Sequence, residues 1–248
     1  MAGGGSPGSF RPLPTTIVHF LIRVKPPTNA QSNHGVLSFS RTNRVSDPHL
    51  LSVQTEIDDM SEPSDFDTFG RYIETPVGQM SPEMRDAYDF TIGLRGLVPG
   101  PHRIWLANPK LSKTIVPTGA YYQKHSTLTK AEIEIVTNLI TARWLSAYAS
   151  YEHEKIGEAQ GRLPAETVER LIAGLPVSFE DAREEVVYQI ASALVTPRLV
   201  PLGLYRRAKA LIRDAGIVDV TVLIGWFTMV SATLSAFDVP ANAVGLDQ

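Results

Sequence analysis

Residues 129–161, TKAEIEIVTNLITARWLSAYASYEHEKIGEAQG, contain no proline, and apolar Ile133, Val136, Ile140, Trp144, Leu145 and Tyr148 recur mostly at three- and four-residue spacing. Thr129 followed by Glu132 is a capping box, in which each side chain satisfies a backbone N–H that the first helical turn leaves unpaired. The pattern predicts a single long helix. At about 1.5 Å per residue it would extend roughly 40 to 50 Å, which a globular chain stabilises only by packing it along most of its length. That requirement points to a core made of helices.

The flanking punctuation is helical as well. Ser81, Pro82 and Glu83 form an N-cap, a first-turn proline and a first-turn acid, predicting a helix to about 94 with its stop near Gly96. A short helix is expected after Pro101, and another from Asn108 and Pro109 toward Lys124, with a kink at Pro117. Beyond the long helix, 164–173 should stop at Gly174, Ser178 and Asp181 should cap a helix to about Val195, and 200–215 should end at Gly216. The last predicted helix, 218–237, is apolar on nearly every side, as in a bundle core or a subunit interface. Eight helices with short connections and no convincing sheet make an all-α helical bundle.

Half of the 18 prolines lie in residues 1–82, so the expected division is an irregular Pro/Ser-rich N-terminal extension, 1–75, and a helical domain, 76–248. Within the extension, 15–24 is apolar enough for one strand, 29–48 is rich in turn residues, and 56–67 is acidic and solvated. The opening MAGGGSPGSFRPLP lacks the charged start and apolar core of a secretory signal, and the run 17–24 is too short to span a bilayer. A cytoplasmic protein without a membrane partner is expected. The net charge of −3 and the absence of a lysine and arginine cluster argue against nucleic acid. Cysteine is absent, which rules out disulfides, thiolate nucleophiles and cysteine-ligated zinc. No spacing suggests a metal site, a glycine-rich phosphate loop or a nucleophile elbow.

On a continuous helix Ser146, Ala149, Ser150 and His153 share one face, spanning about 100°. Small side chains beside an imidazole leave room for a ligand, and an imidazole titrates near pH 6.5, within reach of proton transfer at neutral pH. The plain alternative is a packed histidine with a satisfied hydrogen bond. Tyr148 lies on roughly the opposite side from His153 and reads as core, whereas Tyr151 and Glu152 could line an entrance.

In order and spacing, SPEMRDAYDFTIGLRGLVPGPHRIWLANP, TKAEIEIV, HEKIGEAQG and LIGWFTMVSATLSAFDVP resemble the carboxymuconolactone decarboxylase family, which includes the alkylhydroperoxidase D-like proteins, over about 81–240. The resemblance implies an all-helical subunit that assembles into trimers or hexamers and works without an organic cofactor. The family commonly carries Tyr-Glu-Trp-x-x-His on this helix. Here Tyr148 and His153 match, but Ala149 and Ser150 replace the glutamate and tryptophan. In the peroxidase branch two cysteines occupy the positions of Ser146 and Ala149, with a glutamate at Glu134; the acid and the histidine remain here while both thiols are gone. Thiol peroxidase chemistry is therefore excluded. His102 stands where relatives more often have an apolar residue, either as a solvent-facing loop residue or as part of a pocket, and Trp226 replaces a usual tyrosine, either as packing or as a pocket wall.

The expected function is that of a cofactor-independent decarboxylase, isomerase or cyclase acting on a carboxylated, lactone or enolisable small molecule. His153 would transfer the proton and Glu134 would orient it. Ser146, Ala149, Ser150, Tyr151, His102 and Trp226 would contact substrate. The alternatives are a cyclase working by shape, and a ligand-binding or assembly protein that kept the fold without the chemistry.

Overall fold

The computed structural model of the protein describes residues 69–246; the segments 15–24, 29–48 and 56–67 lie outside the described residues. After a 3-10 turn at Val77–Gln79 come eight helices: α1 Pro82–Arg95, α2 Gly100–Trp105, α3 Pro109–Lys124, α4 Lys130–Arg143, α5 Ala147–Ala159, α6 Ala165–Ile172, α7 Ala182–Val195 and α8 Leu202–Ala236. Among the described residues the only β pairing is an isolated bridge between Phe69 and Tyr72.

The expected caps form at α1, α3 and α4, where Ser81, Asn108 and Thr129 accept from backbone N–H groups and Glu132 completes the capping box. The cap of α7 is Asp181 rather than Ser178. Its carboxylate accepts from the backbone N–H groups of Arg183 and Glu184, a geometry open to the residue adjoining the helix and not to one three positions upstream.

The predicted single helix over 129–161 is two helices. α4 ends in a Schellman motif: Leu145 N–H donates to Ala142 O at 3.0 Å and Ser146 N–H to Thr141 O at 3.0 Å, with Leu145 in the left-handed region at φ 53. Glycine is the usual signal for this turn. Here a leucine, 87% exposed, takes the position, so the chain reverses without a sequence marker.

α4 becomes the central element, packing against α5, α6, α7 and α8. Its residues are buried continuously from Glu132 through Asn138. Glu132 is held by Arg183 of α7, with Nε–Oε1 at 2.9 Å, and Asn138 donates to the backbone oxygens of Glu134 and His153, joining α4 to α5. Gly157 permits that approach, since a Cβ there would lie 3.3 Å from Asn138 Nδ2 and from Val168.

The two helices expected at 200–215 and 218–237 form one run, α8, interrupted at Arg213 (φ 60, ψ 179) instead of at Gly216. Gly216 is buried inside the helix, and its lack of a side chain serves packing against Ile212. α8 is long and apolar enough to cross a membrane by length and composition. Leu204, Ala208, Ile212, Val220, Leu223, Phe227, Val230 and Leu234 nevertheless recur as a stripe in the core of this bundle. Buried Asp219 bolts the same helix to α3 and the loop before α4, accepting from Thr127 N at 2.7 Å, Tyr121 Oη at 2.8 Å and Ser126 Oγ at 3.0 Å. Burial raises the carboxyl, but these hydrogen bonds outweigh it and hold its pKa below the usual value.

Residues 69–75, upstream of the expected domain start at 76, pack on the helices. Phe69 is buried with its ring 5.1 Å from that of Tyr148, Arg71 N–H donates to Phe237 O at 2.7 Å, and Glu74 pairs with Arg103 of α2 at 3.0 Å.

Candidate active site

Reversal of the chain at Leu145 brings together two side chains that a straight helix would hold far apart. Nineteen residues at about 1.5 Å each would separate Glu134 from His153 by roughly 28 Å. Across the α4–α5 hairpin, His153 Nδ1 lies 2.8 Å from Glu134 Oε2. The Glu134 side chain is 1% exposed and the imidazole 19% exposed. A carboxylate accepts only, so a neutral imidazole bonded this way carries its proton on Nδ1 and leaves Nε2 with a free lone pair. Phe227 of α8 meets the imidazole edge to face, with centroids 4.9 Å apart.

The pair lies in the wall of a cavity of about 430 Å³, within the range of small-molecule sites. Another void, beside Glu74 and Arg103, has only about 20 Å³, room for a single water. The large cavity is bounded by the end of α1, by α2, α3, α4, α5 and the last part of α8. Ile133, Ile156, Trp226, Phe227, Val230 and Leu234 supply its apolar surface. Exposed Leu97, Gln123, Lys130 and Gln160 mark its mouth.

Of the residues expected to contact substrate, Ala149, His102 and Trp226 line this cavity together with His153 and Glu134. Ser146, Ser150 and Tyr151 do not. Ser146 is the N-cap residue of α5, buried with no partner for its hydroxyl among the described residues. Ser150 is half-buried outside the lining, and Tyr151 faces solvent under the Lys155 ammonium, 3.5 Å from its ring centre. The face of α5 that lines the cavity is Tyr148, Ala149, Glu152, His153, Ile156 and Gln160, rotated by roughly 70° from the small-residue face expected on a continuous helix.

Tyr148 therefore serves both core and cavity. Burial, assisted by Glu152, pushes its hydroxyl up to about 12, so it stays a neutral donor. His102 is a helical residue 3% exposed, not a solvent-facing loop residue. Its ring lies 4.8 Å from Trp105 and 6.0 Å from Trp226, centre to centre, and burial, aided by the nearby Arg95 charge, pushes it down to about 3. It is neutral at working pH, a hydrogen-bonding group and not an acid. Among the polar lining residues that the sequence did not reveal is Arg95, at the end of α1. A basic residue before a helix-ending glycine is the common arrangement at a C-terminus and carries no mark of a site.

No three of the described histidines, aspartates and glutamates converge as metal ligands. No protein-family model and no curated protein matches the sequence. In structure the chain is similar to the debrominase Bmp8, at TM-score 0.52 and 11% identity over 65% of this chain and 87% of that one. A variant of that debrominase in complex with 2,3,4-tribromopyrrole matches with the same figures. The chain is also similar to an uncharacterized peroxidase-related protein from Silicibacter sp. TM1040, at TM-score 0.56 and 18% identity over 74% of this chain and 96% of that one. With these neighbours and an all-helical domain, the chain has the alkylhydroperoxidase D-like fold, shared by carboxymuconolactone decarboxylases, and that fold includes enzymes.

Proposed function

We propose that the protein is a cofactor-independent enzyme that moves a proton on a small carboxylated, lactone or otherwise enolisable substrate, with His153 as the base and acid. The observation that carries this reading is the 2.8 Å contact of His153 Nδ1 with buried Glu134 in the wall of the cavity. Glu134 orients the ring and balances the imidazolium that forms when Nε2 takes a proton. The electron pair left on carbon moves to the adjacent carbonyl oxygen. Tyr148 lines the same cavity, and its neutral hydroxyl is the donor that would stabilise that oxyanion. Return of the proton to another carbon completes an isomerisation. Decarboxylation and cyclisation of an enolate draw on the same groups. The absence of cysteine excludes a thiol route to any of these products.

Proton nuclear magnetic resonance in deuterium oxide tests the reading with a panel of enolisable lactones and keto acids. The protein should exchange carbon-bound hydrogen for deuterium in at least one member, and His153→Gln should lose the exchange while keeping the wild-type circular dichroism spectrum. Equal exchange by His153→Gln, or no exchange by wild type across the panel, overturns it and leaves a ligand-binding or assembly role.

We also propose a homo-oligomer, a trimer or hexamer. Val218, 58% exposed, and Val222, 46% exposed, belong to an uncharged outward side of α8 that continues through Gly225 and Ala232. Light scattering should give three or six times the 27.2 kDa chain mass; a monomer or dimer would refute it.

A further inference from the structure

We propose that the cavity has a second pole, at Arg95, which binds the anionic group of the ligand and keeps it away from the atom on which His153 acts; this rests on reading the cavity as a substrate site. The buried charges elsewhere are satisfied: Arg103 pairs with Glu74, Glu132 with Arg183 and Glu134 with His153, and Asp219 accepts hydrogen bonds from Tyr121, Ser126 and Thr127. Arg95, half-buried in the cavity wall, has neither an ion pair nor a hydrogen bond among the described residues, and its Nε is buried without a partner. Its pKa is lowered by burial. An interior cation is costly unless paired, so one left unpaired in a ligand-sized cavity is complementary to a ligand charge.

The surroundings leave that charge unpaired. A Cβ on Gly119 would collide with Arg95 Nη1 and come within 2.8 Å of Trp226, so glycine leaves the guanidinium its place beside the indole. His102, neutral and 3% exposed, has a buried Nδ1 without a partner and lines the same cavity. The two carboxylates in the wall are already engaged, Glu134 by His153 and Glu152 by Lys155 at 3.3 Å. Lys130, at the mouth, makes no ion pair among the described residues and adds to the field that draws in an anion.

A guanidinium fork fits the two oxygens of a carboxylate, and Trp226, Phe227, Val230 and Leu234 fit an apolar body. The ligand class is therefore an organic carboxylate with an apolar skeleton. Pairing with Arg95 stabilises the carboxylate as an anion in the ground state, so the anchored group is the one retained through the reaction. Proton transfer then takes place on a different carbon, at the His153 end.

Benzoate and its neutral counterpart benzamide, titrated by calorimetry into the full-length protein, test the proposal. Wild type should bind benzoate at least about tenfold more tightly than benzamide, as a charge-assisted two-pronged contact requires. Arg95→Gln should erase that preference, and so should Gly119→Ala, which leaves the charge in the chain but takes its place. A wild type that does not discriminate, or an Arg95→Gln variant that still prefers benzoate, overturns the anchor. Thermal melts show which variants are folded; if Arg95→Gln does not fold, Gly119→Ala is the deciding arm, and the reverse. If the Arg95-dependent preference holds while deuterium exchange is absent, the proton-transfer reading fails and the anchor stands.

Discussion

The two ends of the cavity satisfy their polar groups differently. At one end Glu134 and His153 answer each other across 2.8 Å, on two helices joined by Asn138. At the other, Arg95 and His102 lie in an aromatic wall with Nε and Nδ1 unpartnered. The first end is preorganised for chemistry, because the imidazole arrives with its orientation and tautomer set by a fixed carboxylate. The second is incomplete without a ligand, and incompleteness in a buried site costs stability, which is the usual trade of a binding surface. A protein built only for stability would have paired both ends or made both apolar.

The largest effect expected at the paired end is on rate. His153→Gln should lower proton exchange by roughly 10²–10⁴-fold with little change in benzoate binding, measured by single-substrate kinetics alongside calorimetry. Glu134→Gln keeps the shape but removes the charge that orients and balances the ring, and a loss of roughly 10²-fold is expected in the same assay. If Glu134→Gln were as active as wild type, the pair would be structural and the contrast between the ends would disappear.

At the unpaired end the expected effect is on stability against pH. The folded pKa of His102 is about 3 against 6.5 for the free imidazole. Above pH 6.5 both states are neutral and the group contributes nothing. As pH falls below 6.5 the unfolded chain takes a proton that the folded one refuses, so stability is lost at about 1.4 kcal/mol per pH unit, roughly 2 kcal/mol by pH 5. His102→Phe should remove that loss. Urea unfolding at pH 7 and pH 5 should show a smaller acid penalty in the variant; equal penalties would place His102 in water. The smallest effect belongs to the hairpin that assembles the paired end. Leu145→Gly relieves a left-handed leucine that is 87% exposed, and should raise stability by about 0.5–1 kcal/mol at either pH.

Much of the fold was legible because its signals are local. Ser81, Asn108 and the Thr129–Glu132 box mark helix starts through hydrogen bonds made within four residues, and Gly96 and Gly174 mark stops through their positive φ. Two joints escaped for the same reason in reverse. Leu145 and Arg213 adopt positive φ without being the residues that favour it, so neither announces itself. The error at Leu145 carried into the site. With α5 starting anew at Ala147, the helical phase is set by packing on α4, and Ser146, Ser150 and Tyr151 turn out of the cavity while Tyr148 turns in; Glu152 lines it, as expected.

The sequence by itself determined an all-helical core, the exclusion of thiol chemistry, and, through resemblance, the interest of His153 and Glu134. Tertiary structure alone decided that these two touch, that His102 is buried and neutral, and that Arg95 is left unpaired in the same wall. Caps and periodicity are properties of a few neighbouring residues, whereas contact across a hairpin and the burial of a charge depend on which distant helices enclose them, and no local pattern records that.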